Sequence, residues 1–212
     1  MKSLIIIKFI LITNIMTQSY DIVINDGRVM DPETGFDGIR NVGIRGDRIV
    51  EITTKSIRGK VVINAKGLVV SPGFIDLHAH GQTNEAHEYQ ARDGVTTALE
   101  MEGGVGFFRE WVDSKEGKTI VNYGGTVPHG FLRAMAMDAN QRISRRLQSQ
   151  VQKNGLSLEG LSGFEKSFAA ANYQSQSQKE EDRTQGMMHD YLNAGALGIG
   201  VSQESYMFSR TA

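Results

Sequence analysis

Cysteine is absent from this 212-residue chain. That excludes disulfides and every thiolate metal site, so any bound metal must be held by histidine and carboxylate. It says nothing of compartment, because oxidising and reducing compartments both tolerate cysteine-free chains. An excess of one charge is missing too. The formal net charge is −1, without the basic stripe of a dedicated nucleic-acid binder, so no nucleic-acid partner is expected. Beyond the first residues, no apolar run reaches the roughly 18 residues that a membrane span needs, and none is expected. What is present is 40% hydrophobic residues. That suffices for one good core or two small ones and is unlike a disordered chain.

Residues 1–19 read in two ways. MKSLIIIKFILITNIMTQS has an early lysine and an apolar run, as a signal peptide does, but Lys8 interrupts the run and no small-x-small cleavage pattern follows. The other reading is a misassigned start, with Met16 opening the chain. Localisation follows: exported if residues 1–19 act as a signal peptide, cytoplasmic otherwise.

Residues 20–71 read as a small β-domain. YDIVI meets RVM across Asn25-Asp26-Gly27, NVGIR meets RIVEI across Gly46-Asp47, and VVINA meets LVV across Lys66-Gly67. Each is a hairpin signal, and the partial alternation of apolar residues suits a half-buried antiparallel sheet. At Ser71-Pro72-Gly73 the character changes. Residues 72–212 alternate strand-like and helix-like segments: FIDLHAH as a buried-type strand, NEAHEYQARDG as a helix closed by Gly94, VTTALEME as a strand, and a helical patch at FFREWVDSK. TIVNYGGTV then reads as a strand, Ala134–Val151 as a long helical region, QGMMHDYLNAG as a helix, and ALGIGVS as a strand. The alternation implies an α/β fold of βα units with a parallel sheet. Four units are half of an eight-fold barrel.

The chemistry concentrates at His78 and His80. In a strand, residues i and i+2 project from the same face, so the two imidazoles stand side by side where Gly81 releases the chain into a loop. That end of a βα-barrel strand is where active sites form, and two imidazoles there can converge on one divalent ion. Asp76 shares their face one pleat deeper and could accept a hydrogen bond from a ligand imidazole. A bare His-x-His is otherwise explained by two hydrogen-bonded core histidines.

The surrounding string decides against that bland reading. SPGFIDLHAH after a small β-domain resembles the opening of the amidohydrolase superfamily, whose metal-dependent hydrolases carry His-x-His at the end of the first barrel strand. DGVTTALEMEGG, TIVNYGGTVPHG and NAGALGIG further resemble its D-aminoacylase branch, the N-acyl-D-amino-acid deacylases. The likeness runs from about Tyr20 to the last residue and corresponds to the first part of that family. It implies a (β/α)8 TIM-type barrel represented by about four units behind a small antiparallel β-sandwich, and one or two Zn2+ ions held in part by His78 and His80. It also implies hydrolysis of a carbon–nitrogen bond in a small-molecule N-acyl amino acid. The family's two further metal-binding histidines and its catalytic aspartate lie on later strands, so the chain is expected to be an incomplete fragment, inactive alone.

Four other residues join the candidate site. Glu100 and Glu102 share a strand face before Gly103-Gly104. D-aminoacylases use a cysteine in this neighbourhood, so here a glutamate would replace it as a metal contact; the alternative is a pair of salt-bridged carboxylates at a barrel rim. The resemblance makes His129 part of a loop lining the substrate pocket and Arg133 a bidentate anchor for a carboxylate; otherwise they are a surface histidine and a helix-face arginine. His87, within a charged helix, is expected to be exposed. GALGIG follows a helix instead of opening one, so it is not a dinucleotide fingerprint. Two other functions fit the motifs. One is a cyclic amidohydrolase of hydantoinase or dihydroorotase type; the other is a non-catalytic half-barrel that assembles with a partner chain or as a homo-oligomer.

Overall fold

The computed structural model describes residues 19–154 and 174–201. The segment read as a signal peptide or misassigned start therefore lies outside the described residues. The fold is mixed α/β and divides at Pro72/Gly73 into two units.

The first unit is a five-stranded sheet: β1 (Ser19–Asp31), β2 (Phe36–Arg45), β3 (Arg48–Thr53), β4 (Arg58–Asn64) and β5 (Val69–Val70). Its order is β3-β2-β1-β4, with β5 also on β1. The hairpin at Gly46-Asp47 joins β2 to β3 with Gly46 at φ +57°. The other two hairpins are corrected. Asn25-Asp26-Gly27 does not reverse the chain but forms a bulge inside β1, where the register to β2 slips between Ile24 and Gly27. Asp26 takes φ +59° there and donates its N–H to Asn41 Oδ1 at 2.8 Å. An aspartate tolerates that left-handed conformation, so a turn-like tripeptide serves as an extra residue in a continuous strand.

Lys66-Gly67 is likewise a detour. β4 and β5 both run parallel to β1, one after the other along the same edge. Ala65 N–H bonds Asn25 O and Arg28 N–H bonds Leu68 O, so the excursion in β4/β5 matches the bulge in β1. The sheet is therefore mixed, not wholly antiparallel. Its buried residues include Tyr20, Val23, Val29, Val42 and Ala65.

The second unit alternates strand and helix. β6 (Phe74–Asp76), β7 (Val95–Glu100) and β8 (Asn122–Gly125) form a parallel sheet in that order. After Thr126 the chain resumes as β9 (Val127–Pro128), which pairs in parallel with β10 (Ile199–Gly200). The helices are α1 (Asn84–Arg92), α2 (Phe108–Lys115), α3 (His129–Ala136), α4 (Gln141–Asn154) and α5 (Gln178–Asn193).

Local chemistry sets several boundaries. Thr83 caps α1 by accepting the Ala86 N–H at 3.0 Å. The expected long helix over Ala134–Val151 is broken at Met137, whose ψ of +137° is extended, and resumes after a single 3-10 turn. Ser144, Leu147 and Val151 are the buried residues of α4, the spacing of one helical stripe. They face a core with Phe107, Ala134, Met135 and Met137. α5 is tied to the break by Glu180, which accepts the Asp138 N–H at 2.7 Å, and by Arg183, which meets Asp138 Oδ1 at 2.6 Å. Among the described residues no helix is long and apolar enough to cross a membrane.

The expectation of a buried first strand is also corrected. Phe74, Ile75 and Leu77 are exposed, because among the described residues β6 is an edge strand paired with β7 alone.

One glycine is a sharp test of this packing. Gly104 has φ +74°, and a Cβ there would lie 2.6 Å from both the Thr126 O and Pro128 N backbone atoms. Neither can move without shifting β8 and β9. Gly104→Ala should therefore cost about 1–3 kcal/mol or more, from the positive φ and the backbone clash together. Urea unfolding checks it.

Candidate metal centre

The strand ends of the second unit gather the polar side chains singled out by sequence. β6 stops at Asp76, so His78 and His80 stand just beyond it, where the chain makes an isolated bridge from His78 to Glu100 and the Ala79 N–H bonds Leu99 O at 3.0 Å. β7 stops at Glu100, and Glu102 follows it. These are corrections to the reading of both pairs as residues within strands. The convergence survives because adjacent parallel strands end together and present their following loops on one side.

His78 Nε2 and His80 Nε2 lie 2.7 Å apart. Glu102 Oε2 lies 2.8 Å from the first and 3.1 Å from the second. Among the described residues this trio forms a group able to hold a metal ion. The chemistry of the donor set fits one: two imidazole nitrogens and a carboxylate oxygen, borderline and hard donors of the kind zinc and similar divalent ions accept. Ligands held about 2.1 Å from one tetrahedral ion are about 3.4 Å apart, so the separations of 2.7–3.1 Å here need only a slight spreading. Without a cation, two imidazole lone pairs this close to each other and to a carboxylate must share protons or repel.

Glu100 plays a different part. It is buried, at 5% exposure. Its Oε2 meets His80 Nδ1 at 2.6 Å, while its Oε1 accepts the Glu102 and Gly103 N–H groups at 3.1 and 3.0 Å. With both oxygens occupied, Glu100 orients His80, presenting Nε2 outward to His78 and Glu102. Its carboxylate raises the His80 pKa, and Glu102 adds to the effect. The proton so favoured is the one a divalent cation displaces. Asp76, expected to orient an imidazole, instead accepts the His78 backbone N–H at 2.9 Å. Both imidazoles are open to solvent, with side-chain exposures of 63% and 61%.

His129 and Arg133 lie elsewhere on the second unit, on α3. His129 opens that helix directly after Pro128, half-buried, its pKa lowered by burial and by Arg133. The Arg133 guanidinium donates to the Gln174 carbonyl.

The expected exposure of His87 is wrong. It is 0% exposed. Nδ1 lies 2.7 Å from Thr119 Oγ1, Nε2 lies 3.3 Å from Gln82 Oε1, and the ring stacks near Tyr123. Burial, with Lys115 nearby, lowers its pKa to about 4. The charged residues flanking it in sequence occupy the other faces of α1, so the local charge pattern hid an inward-facing position.

No family model matches the chain. Over 90 aligned residues it is 36% identical to a dihydroorotase of Streptococcus pneumoniae, an alignment covering 38% of this chain and 21% of that protein. A dihydroorotase of Streptococcus pyogenes is 39% identical over 90 residues with the same coverage. Among solved structures, N-acyl-D-glutamate deacylase from Bordetella bronchiseptica, determined with zinc and a phosphonate mimic of the tetrahedral intermediate, superposes with a TM-score of 0.65. That match has 19% identity and covers 92% of this chain and 40% of that one. A D-aminoacylase studied for its binuclear metal centre superposes with a TM-score of 0.60 and 22% identity, covering 86% and 38%. The chain is similar to the amidohydrolases of the D-aminoacylase branch. At these identities the likeness to the solved deacylases is one of fold. The chain spans about a fifth of the length of the dihydroorotases and about two fifths of the deacylases.

Proposed function

We propose that this chain carries the first metal-binding elements of a metal-dependent hydrolase of carbon–nitrogen bonds, with N-acyl-D-amino acids as substrates. The observation that carries the proposal is the convergence of His78 Nε2, His80 Nε2 and Glu102 Oε2 within 3.1 Å at the ends of parallel strands. In this reading residues 72–212 are about four βα units of a (β/α)8 barrel, residues 20–71 are a separate β-domain, and the ion is zinc. The parallel strands β6, β7, β8 and β10, taken in chain order, support the barrel.

When bound, a divalent cation supplies Lewis-acid activation of an amide carbonyl and of water. The chain's own residues prepare that site. Glu100 holds the proton on His80 Nδ1, so Nε2 is left as the donor atom. Asp76 fixes the His78 backbone, and Glu102 brings negative charge to the pair. His129 and Arg133 are assigned to substrate contact on the resemblance to the deacylases; both sit on α3, which follows β9 directly.

A second reading, ring opening of a cyclic amide, is favoured by the local identity to dihydroorotases. The test is made on the monodisperse chain dialysed against zinc. Elemental analysis is expected to find bound zinc, and calorimetric titration of the zinc-loaded chain then compares binding of N-acyl-D-glutamate with binding of dihydroorotate, a readout that needs no turnover. Binding of dihydroorotate in preference to the N-acyl amino acid would replace the first reading by the second, and a zinc-free chain would sink both.

A further inference from the structure

Beside the histidine pair runs a chain of polar groups, buried at His87 and half-buried at Gln82 and Thr119, that the metal site does not use. Thr119 Oγ1 lies 2.7 Å from His87 Nδ1, His87 Nε2 lies 3.3 Å from Gln82 Oε1, and Gln82 Nε2 donates to the Ala79 carbonyl at 2.5 Å. Donors and acceptors along it have a single consistent direction. Gln82 Oε1 can only accept, so His87 Nε2 carries the hydrogen. Nδ1 then accepts from the Thr119 hydroxyl, and the Gln82 amide is left to donate to Ala79 O. His87 is completely buried at the middle of this chain, and Ala79, at 2% exposure, is the residue between His78 and His80.

The same loop is held by two backbone bonds, Ala79 N–H to Leu99 O and Gln82 N–H to His80 O, each 3.0 Å. Gln90, one turn beyond His87 on α1, reaches Gly81 O at 3.4 Å.

We infer that His87 and Gln82 are positioning residues: a hydrogen-bonded strut, buried at His87, that runs from Thr119 to Ala79 O and holds the His78–His80 loop in its ligating shape. The inference rests on the metal-site reading for its purpose, but not for its test. A side chain that ends such a strut fixes the one peptide carbonyl shared by both histidines. Without it, the Ala79 carbonyl loses its side-chain partner, and the loop keeps its two backbone bonds and the contacts from Asp76, Glu100 and Gln90 on either side. Outer groups that orient ligands typically change metal affinity about 10–100-fold when removed.

The experiment compares the full chain with Gln82→Met, which keeps the volume and removes the amide, and with His87→Phe, which keeps a ring and removes both nitrogens. Hydrogen exchange is followed residue by residue. In both variants the Ala79 and Gln82 amides should exchange at least about tenfold faster while amides of β7 and α3 keep their parent rates. A general loss of stability would instead speed exchange throughout the unit, and that result, or unchanged loop exchange in either folded variant, overturns the strut. Should His87→Phe fail to fold, Gln82→Met decides alone. Zinc affinity, measured in parallel, should fall about tenfold or more in Gln82→Met. If the parent binds no zinc, the proposed function fails while loop exchange still answers for the strut.

Discussion

Alanine at both His78 and His80 should leave the chain without measurable zinc at concentrations that saturate the parent. Structural zinc sites of four ligands are worth about 10–16 kcal/mol, so each ligand carries roughly 3 kcal/mol, and losing two weakens binding by about 10^4-fold. The variant should still fold. Both imidazoles are mostly exposed, and neither takes part in a hydrophobic core. The glutamates then separate by role. Glu102→Gln removes a donor atom and should weaken zinc by about 100-fold, whereas Glu100→Gln keeps an acceptor for His80 Nδ1 and should cost about tenfold. Competition titration with a zinc chelator measures all of these. Equal losses for the two glutamates would sink the division of roles between them.

Acid should unfold the chain through His87. Its folded pKa, about 4, lies below the ordinary 6.5 of an unfolded histidine. A depressed folded value means that the unfolded chain binds the proton first, so the stability is fully present above about pH 6.5 and is lost as pH falls toward 4. The span is worth about 3 kcal/mol at 1.36 kcal/mol for each pH unit, a large fraction of a typical domain's stability. Burial is the main cause, and the nearby ammonium of Lys115, itself buried and bonded to Asn84 at 3.0 Å, opposes a second positive charge. His87→Gln can reproduce the bonds to Gln82 and Thr119 without titrating. Urea midpoints of the two proteins should therefore be similar at pH 7 and diverge toward pH 4.5, where the parent loses stability and the variant does not. Parallel pH profiles would show that His87 does not set the acid limit.

These two histidine environments mark how far the sequence could be read. The His-x-His spacing, the Gly94 stop and the alternation of strand and helix after Pro72 are local signals, and each has its counterpart in the structure. A period of two in a strand or a cap at a helix end is written by neighbouring residues. The turn signals at Asn25-Asp26-Gly27 and Lys66-Gly67 misled for the same reason: a tripeptide that permits a reversal also permits a bulge, and the long pairing of β1 with both β2 and β4 chose the bulge. The helix break at Met137 was hidden because Asn140, Gln141 and Ser144 turn back to satisfy its freed carbonyls from several residues away.

The sequence by itself determined which residues could bind a metal, since without cysteine only histidine and carboxylate remain, and it placed four of them within 25 residues. Only the tertiary structure decided their parts. Glu100 and Glu102 are two residues apart and chemically identical, yet the end of β7 falls between them. One is buried with both oxygens occupied, and the other is left facing the imidazoles. His87 was assigned by the same force: a helix face is polar or buried according to what packs against it, and Thr119, which receives that face, is 32 residues away. Burial and hydrogen-bond partners are properties of the assembled fold, and they set what each identical side chain can do.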